Sequence, residues 1–168
     1  MVHRAITQFL TDLDWGKLDY LVIDLPPGTG DAQLTLTQTA PLSGAIIVTT
    51  PQEVSLIDAR KGLEMFRQVR VPVLGIVENM SYFIGEDGKR YEIFRHGGGK
   101  KLALEARVPF LGEVPIDPQV AECGDTGDPI VHKHPDNAVS NVYLALATKV
   151  SEQIGTAGPQ QTLPTLQI

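Results

Sequence analysis

Residues 19–31 read Asp-Tyr-Leu-Val-Ile-Asp-Leu-Pro-Pro-Gly-Thr-Gly-Asp, and they set the first expectation for the fold. Tyr20 to Ile23 is a short, continuous apolar run, the pattern of a strand buried on both faces. It ends in Asp24 and then in Pro26-Pro27-Gly28-Thr29-Gly30, which cannot continue a strand. An apolar strand ending in a carboxylate, then a Pro-Gly turn, is an arrangement with which nucleotide hydrolases support Mg²⁺ and approach a terminal phosphate. The same residue types also serve a chain that merely ends a strand and turns. Spacing alone leaves both readings open.

Outward from this stretch, strands and helices alternate. Upstream, Ile6, Phe9, Leu10 and Leu13 recur at helical spacing and predict a helix from Ile6 to Leu13. Downstream, Asp31 reads as the N-cap of a helix over Ala32 to Ala40. Apolar runs at Ala45 to Val48, Val73 to Val77 and Phe110 to Val114 predict three further strands. Amphipathic segments at Glu53 to Val69, Lys100 to Ala106 and Asp136 to Ile154 predict the helices between and after them. Ser81 to His96 interrupts the alternation and reads as an inserted hairpin turning at Gly85 to Gly88. Parallel βαβ crossovers follow, and with them an α/β fold: a doubly wound, mostly parallel sheet with helices on both faces. Ligands of such sheets sit beyond the carboxyl ends of the strands. There the sequence places Asp24, Thr49-Thr50-Pro51, Glu78-Asn79 and Pro115-Ile116-Asp117.

Composition narrows the function classes. The 168 residues carry 14 Lys+Arg against 20 Asp+Glu, a formal charge of −6, and this balance argues against a nucleic-acid partner. No apolar run approaches the roughly 18 residues that span a membrane, so no membrane partner is expected. Cys123 is the single cysteine, which excludes an intramolecular disulfide and suits a reducing, cytoplasmic setting. Residues 1–154 read as one domain and residues 155–168 as a disordered tail.

The string DYLVIDLPPGTGD, together with TTPQEVSLIDARKGLEMF, VLGIVENMSYF, IFRHGGGKKLA, FLGEVPIDPQV and GDTGDPIV, resembles the Mrp/ApbC family. These are deviant-Walker P-loop ATPases of the MinD-like superfamily that carry iron-sulfur clusters. The resemblance implies roles residue by residue. Asp24 matches the Walker-B aspartate that supports Mg²⁺ through water, and Gly28 the switch II glycine facing the γ-phosphate. Asn79 matches the asparagine that reads adenine, for which a carboxamide offers a donor and an acceptor together; Pro115, Ile116 and Asp117 match the segment lining the base. The plain alternative for Asn79 is a strand-end cap.

Two departures from the family pattern shape the expectation. The P-loop, a Gly-rich run with two lysines before Ser/Thr, occurs nowhere in the 168 residues. The chain therefore resembles the C-terminal portion of such an ATPase, with the N-terminal βα unit missing; a sheet so shortened would expose a strand edge and associate. The nearest substitute, His96-Gly97-Gly98-Gly99-Lys100-Lys101, reads as a glycine-rich turn opening a helix, with anion binding at that N-terminus as the lesser alternative. The second departure is the Cys-x-x-Cys pair with which many members share a cluster between two chains. Here the corresponding stretch, Ile84 to Arg90, holds no thiol, and Cys123 reads as a small buried hydrophobe, so an iron-sulfur cluster finds no ligand pair. The resemblance implies a homodimer with ATP and Mg²⁺ as cofactors, hydrolysing ATP and delivering clusters to apoprotein clients in its intact form. The alternative is a nonenzymatic, truncated or degenerate interaction module that keeps the fold without the ATPase activity.

Overall fold

The computed structural model describes residues 2–25, 30–40 and 42–156. Helix α1 (Val2–Thr11) packs on α2 (Asp31–Thr39). Gly30, not Asp31, takes the N-cap position of α2, in an extended conformation, and Asp31 is the first helical residue. The expected strand at Tyr20 to Ile23 does not form: residues 20–25 pair with no strand, and Val22 is 88% exposed. An apolar run becomes a strand only when a neighbour completes its hydrogen-bond ladder. Among the described residues none lies beside this one. Tyr20 instead places its hydroxyl 2.8 Å from Ser151 Oγ, and Leu25 packs against the main core.

The sheet is parallel, in the order β1 (Ala45–Thr49), β2 (Val73–Glu78), β5 (Phe110–Glu113), with a separate antiparallel hairpin of β3 (Phe83–Ile84) and β4 (Arg90–Tyr91). Successive residues of β2 face opposite layers. Ile76, fully buried, points with Ile47 into a core shared with α3 (Glu53–Gln68) and α4 (Gly98–Ala106), to which Leu56, Leu63, Phe66 and Leu102 belong. Val77 points the other way, with Leu111 and Val114, onto Val142, Tyr143 and Leu146 of α7 (Ala138–Thr156). The α/β arrangement is thus present, a parallel sheet with α3 and α4 on one face and α7 on the other. Two short helices absent from the sequence reading, α5 (Pro118–Thr126) and α6 (Ile130–Lys133), build a satellite core around Cys123, Ile130 and Val139. The final helix runs to Thr156; the tail expected over residues 155–168 lies, from residue 157 on, outside the described residues.

Both ladders slip by one residue at a Leu-Gly pair. Ala45 pairs with Val73 but Ile46 with Gly75, so Leu74 is extra; Ile76 pairs with Phe110 but Val77 with Gly112, so Leu111 is extra. Gly75 and Gly112 each adopt φ +156°, a conformation open essentially to glycine.

The outer strand β1 alternates buried and exposed residues, leaving Ile46 at 38% and Val48 at 61% exposure. An edge with apolar side chains on an open face invites pairing with another chain. Light scattering is expected to show a mass that rises with concentration, and Val48→Lys to suppress the rise; a monomer at all concentrations in the parent chain would refute this.

Candidate functional site

The turn after β2 is the best-built feature at the carboxyl end of the sheet. Asn79 donates its amide to Thr49 O at 2.7 Å, and Ser81 donates its amide to Val114 O at 3.0 Å. Ile116 donates to Tyr82 O at 2.6 Å, and Phe83 bridges to Ile116 in parallel register. The ends of all three parallel strands are thereby drawn to residues 79–83. Of the residues singled out from the sequence, Thr49, Asn79 and Ile116 join this one network, and Pro115 lies half-buried beside Ile116.

Asn79 is half-buried, and its Oδ1 accepts the Met80 amide at 2.9 Å. Met80 sits at φ +53°, a left-handed conformation uncommon for a side chain of this size. Because a carbonyl oxygen has two lone pairs, the carboxamide retains an acceptor and its Nδ2 donors for a ligand. Asp117 has a structural duty: its Oδ1 accepts the Gln119 amide at 2.8 Å as the N-cap of α5, with Pro118 at the first helical position.

Asp24 is exposed, in the unpaired stretch after Tyr20, and no hydrogen bond ties it to the Asn79 turn. Gly28, with Pro26, Pro27 and Thr29, lies outside the described residues. Among the described residues no group of three His, Cys, Asp or Glu could hold a metal ion. Mg²⁺ is held by one or two carboxylates only when substrate phosphates and waters complete its six oxygens. The described residues therefore do not make a Mg²⁺ site by themselves. Nor do they make a cluster site, because Cys123 is 1% exposed, packed with Ile130 and Val139.

The glycine-rich turn has a different occupant from the anion considered in the sequence. Gly97 and Gly99 direct their amides at Glu78, at 3.3 Å to Oε1 and 2.5 Å to Oε2. The N-terminus of α4 is thus filled by the chain's own carboxylate. A Cβ on Gly99 would lie 3.0 Å from Glu78 Cβ, and one on Gly98 would lie 2.9 Å from Pro51 O, so the glycines let the turn seat on the ends of β1 and β2. The sequence placed Glu78 with Asn79 at the ligand end of the sheet but gave it no role of its own. The residue is completely buried.

The hairpin is clipped to the sheet by Arg90. Its guanidinium lies 2.9 Å from Glu113 Oε2 and 3.9 Å from the centre of the Tyr82 ring. His96 Nδ1 lies 3.3 Å from both Arg90 Nη2 and Glu92 Oε1. At the hairpin's tip, the Lys89 amide and then the Tyr91 hydroxyl hold the Asp87 carboxyl below the usual carboxylate range.

A parallel sheet wrapped on both faces, with a polar turn gathered at its carboxyl end, defines the class as an α/β nucleotide-binding fold of the P-loop NTPase type. The chain belongs to the ParA family of NUBPL iron-transfer P-loop NTPases, whose description matches residues 1–151. It is 53% identical over 159 residues to an iron-sulfur cluster carrier protein of Synechocystis, covering 94% of this chain and 45% of that one. It is 47% identical over 155 residues to the iron-sulfur cluster transfer protein NUBPL of mouse, covering 92% of this chain and 49% of that one. The chain spans about half the length of the curated relatives it matches. Among solved structures it is similar to a nucleotide-binding protein of Archaeoglobus fulgidus in complex with ADP, with TM-score 0.67 and 44% identity, covering 75% of this chain and 52% of that one. These relatives agree with the Mrp/ApbC-type iron-sulfur carrier family expected from the motifs. Among the described residues no helix is long and apolar enough to cross a membrane.

Proposed function

We propose that this chain provides the base-reading and partner-contacting part of an Mrp/ApbC-type iron-sulfur carrier, and that its 168 residues alone keep the fold without hydrolysing ATP. The observation that carries this reading is an asymmetry. The turn that the resemblance matches to adenine recognition is hydrogen-bonded to the ends of β1 and β5, whereas the 168 residues contain no phosphate-cradling Gly-Lys-Ser/Thr run and the glycine-rich turn at residues 96–101 is filled by Glu78. Phosphoryl transfer is mostly positioning and charge stabilisation, so a site without a cradle lacks its largest catalytic contribution.

In a longer protein of the family's usual extent, Asn79 would donate to the adenine edge with Pro115 and Ile116 against the base. Asp24 and Gly28 would act at Mg²⁺ and the γ-phosphate, where the metal would neutralise phosphate charge. ATP-dependent delivery of clusters to apoproteins by a cytoplasmic homodimer belongs to that longer context. The relatives' names as iron-sulfur cluster carriers support the cluster-carrying part of this reading. The chain's single buried cysteine argues against cluster ligation by these residues on their own.

Calorimetry and a phosphate-release assay on the 168-residue chain with Mg²⁺-ATP test this. Weak adenine-nucleotide binding without phosphate release is expected, with Asn79→Ala abolishing the binding. At 100 times the dissociation constant, binding should raise stability by about 2.7 kcal/mol. Phosphate release above the buffer rate would overturn the nonenzymatic reading, and binding indifferent to Asn79→Ala would overturn the base-reading one.

A further inference from the structure

Glu78 is the one fully buried carboxylate among the described residues, and each hydrogen-bond partner of its side chain is a donor to it. Oε1 accepts Ser81 Oγ at 2.5 Å and the Gly97 amide at 3.3 Å, while Oε2 accepts the Gly99 amide at 2.5 Å. Burial of a carboxylate is costly unless its oxygens are hydrogen-bonded, and three donors on two oxygens meet that requirement.

The position of these bonds matters more than their number. Glu78 and Ser81 flank Asn79 and Met80, and the 2.5 Å bond between them closes the turn across its base. Ser81 is itself fully buried, and both flanking residues are fixed to the neighbouring strand end: Val114 donates to Glu78 O at 2.8 Å, and Ser81 donates to Val114 O. Between these anchors, Met80 holds its left-handed conformation and Asn79 holds the Met80 amide. Residues in sparsely populated conformations persist where their surroundings over-determine them. Here the surroundings are the Glu78–Ser81 bridge. The other oxygen of Glu78 reaches the first turn of α4, so the inserted segment's exit at Gly97 to Gly99 is tied to the same side chain that closes its entry at Ser81.

We propose that Glu78 is a positioning residue for Asn79: its carboxylate, by holding Ser81 on one side and the Gly97 and Gly99 amides on the other, sets the direction in which the Asn79 carboxamide is presented. The functional weight of this proposal rests on the base-reading role of Asn79, but the positioning itself is read without nucleotide.

Two variants separate positioning from bulk stability. Glu78→Gln keeps the shape but replaces one acceptor oxygen with an amino group facing donors. Ser81→Ala breaks the bridge while leaving the Gly99 bond in place. Amide exchange and the Asn79 side-chain resonances are followed by NMR on the 168-residue chain. Both variants are expected to speed exchange of the Met80 amide by about tenfold, the loss of roughly one hydrogen bond. Both should also move the Asn79 Nδ2 resonances toward those of a free carboxamide, with Ile47 and Leu63 amides unchanged. Only Glu78→Gln should release a glycine amide, Gly97 or Gly99, because its amino group can donate to Ser81 Oγ but can accept from neither. Unchanged Met80 exchange and unchanged Asn79 resonances in Ser81→Ala would overturn the proposal even if Glu78→Gln were to unfold.

A nucleotide arm then distinguishes the two layers. Mg²⁺-ATP should shift the Asn79 resonances of the parent chain more than Mg²⁺-GTP does, and both variants should lose that difference. Parent-level ATP preference in both variants would overturn the positioning role. If ATP leaves Asn79 unmoved in the parent chain, the base-reading assignment fails, while the exchange rates still decide whether Glu78 holds the turn.

Discussion

Gly75→Ala is expected to destabilise the chain by about 2 to 6 kcal/mol, the larger of its single-residue sensitivities. Two costs add. At φ +156° an alanine is strained by about 1 to 3 kcal/mol. Its Cβ would also lie 2.6 Å from Leu111 Cγ and 2.7 Å from Pro109 O, and overpacking of this kind costs about 1 to 3 kcal/mol. Neither neighbour has room to yield. Leu111 is 1% exposed, and Pro109 O already accepts the Ile76 amide at 2.9 Å, so moving it would break a β2–β5 bond. Urea denaturation measures the effect against Gly124→Ala, which lies within α5 with nothing near its Cβ and should be neutral or stabilising by up to about 1 kcal/mol. A loss below about 1 kcal/mol for Gly75→Ala would contradict the reading of the bulge.

Ile76→Ala should cost about 2 to 5 kcal/mol, the range for emptying a closed core position. Ile76 has no exposed surface and faces the shared core of α3 and α4, so the cavity cannot be filled from solvent. Val48→Ala, at a 61% exposed position in the same sheet, should change stability by no more than about 0.5 kcal/mol. Equal losses at the two positions would mean that Val48 is covered in solution, which the self-association expected of β1 would produce at high concentration. The comparison is therefore made at the lowest concentration that fluorescence permits.

The strands that formed were legible because their apolar runs are short and are bounded by turn residues. Ala45 to Val48, Val73 to Val77 and Phe110 to Val114 all became strands, within a residue at either end. Tyr20 to Ile23 carries the same pattern and did not, because composition registers a capacity for burial and is silent on whether a partner is alongside. Helix α5 had readable signals: Asp117-Pro118 at its start and Gly127, at φ +71°, at its end. The Leu-Gly bulges recur as Leu74-Gly75 and Leu111-Gly112, yet a glycine inside an apolar run reads equally as a weak strand residue.

At the site, Asn79 stood out through the ENMS motif, and its place beside Thr49 agrees with the strand-end clustering seen in sequence. Glu78, its neighbour, was placed at the same strand end, but its burial and its partners were not legible. The donors that fix it at Gly97 and Gly99 are backbone amides 19 and 21 residues away, and backbone groups leave no mark in the side-chain pattern. The glycine-rich turn opens a helix, as the sequence led one to expect, and the amides that the lesser alternative offered to an anion are taken by the side chain of Glu78.

In the sheet, strand order follows chain order, β1 then β2 then β5, and this bears on synthesis. A chain emerging from the ribosome at about 5 to 20 residues per second exposes β1 and β2 before Phe110 has emerged. During that interval the α7 face of β2 is uncovered and Glu78 still waits for Gly97 and Gly99, so its carboxylate stays in water. The arrival of α4 draws that side chain inside, so the Asn79 turn is completed only after the strand that carries it has emerged.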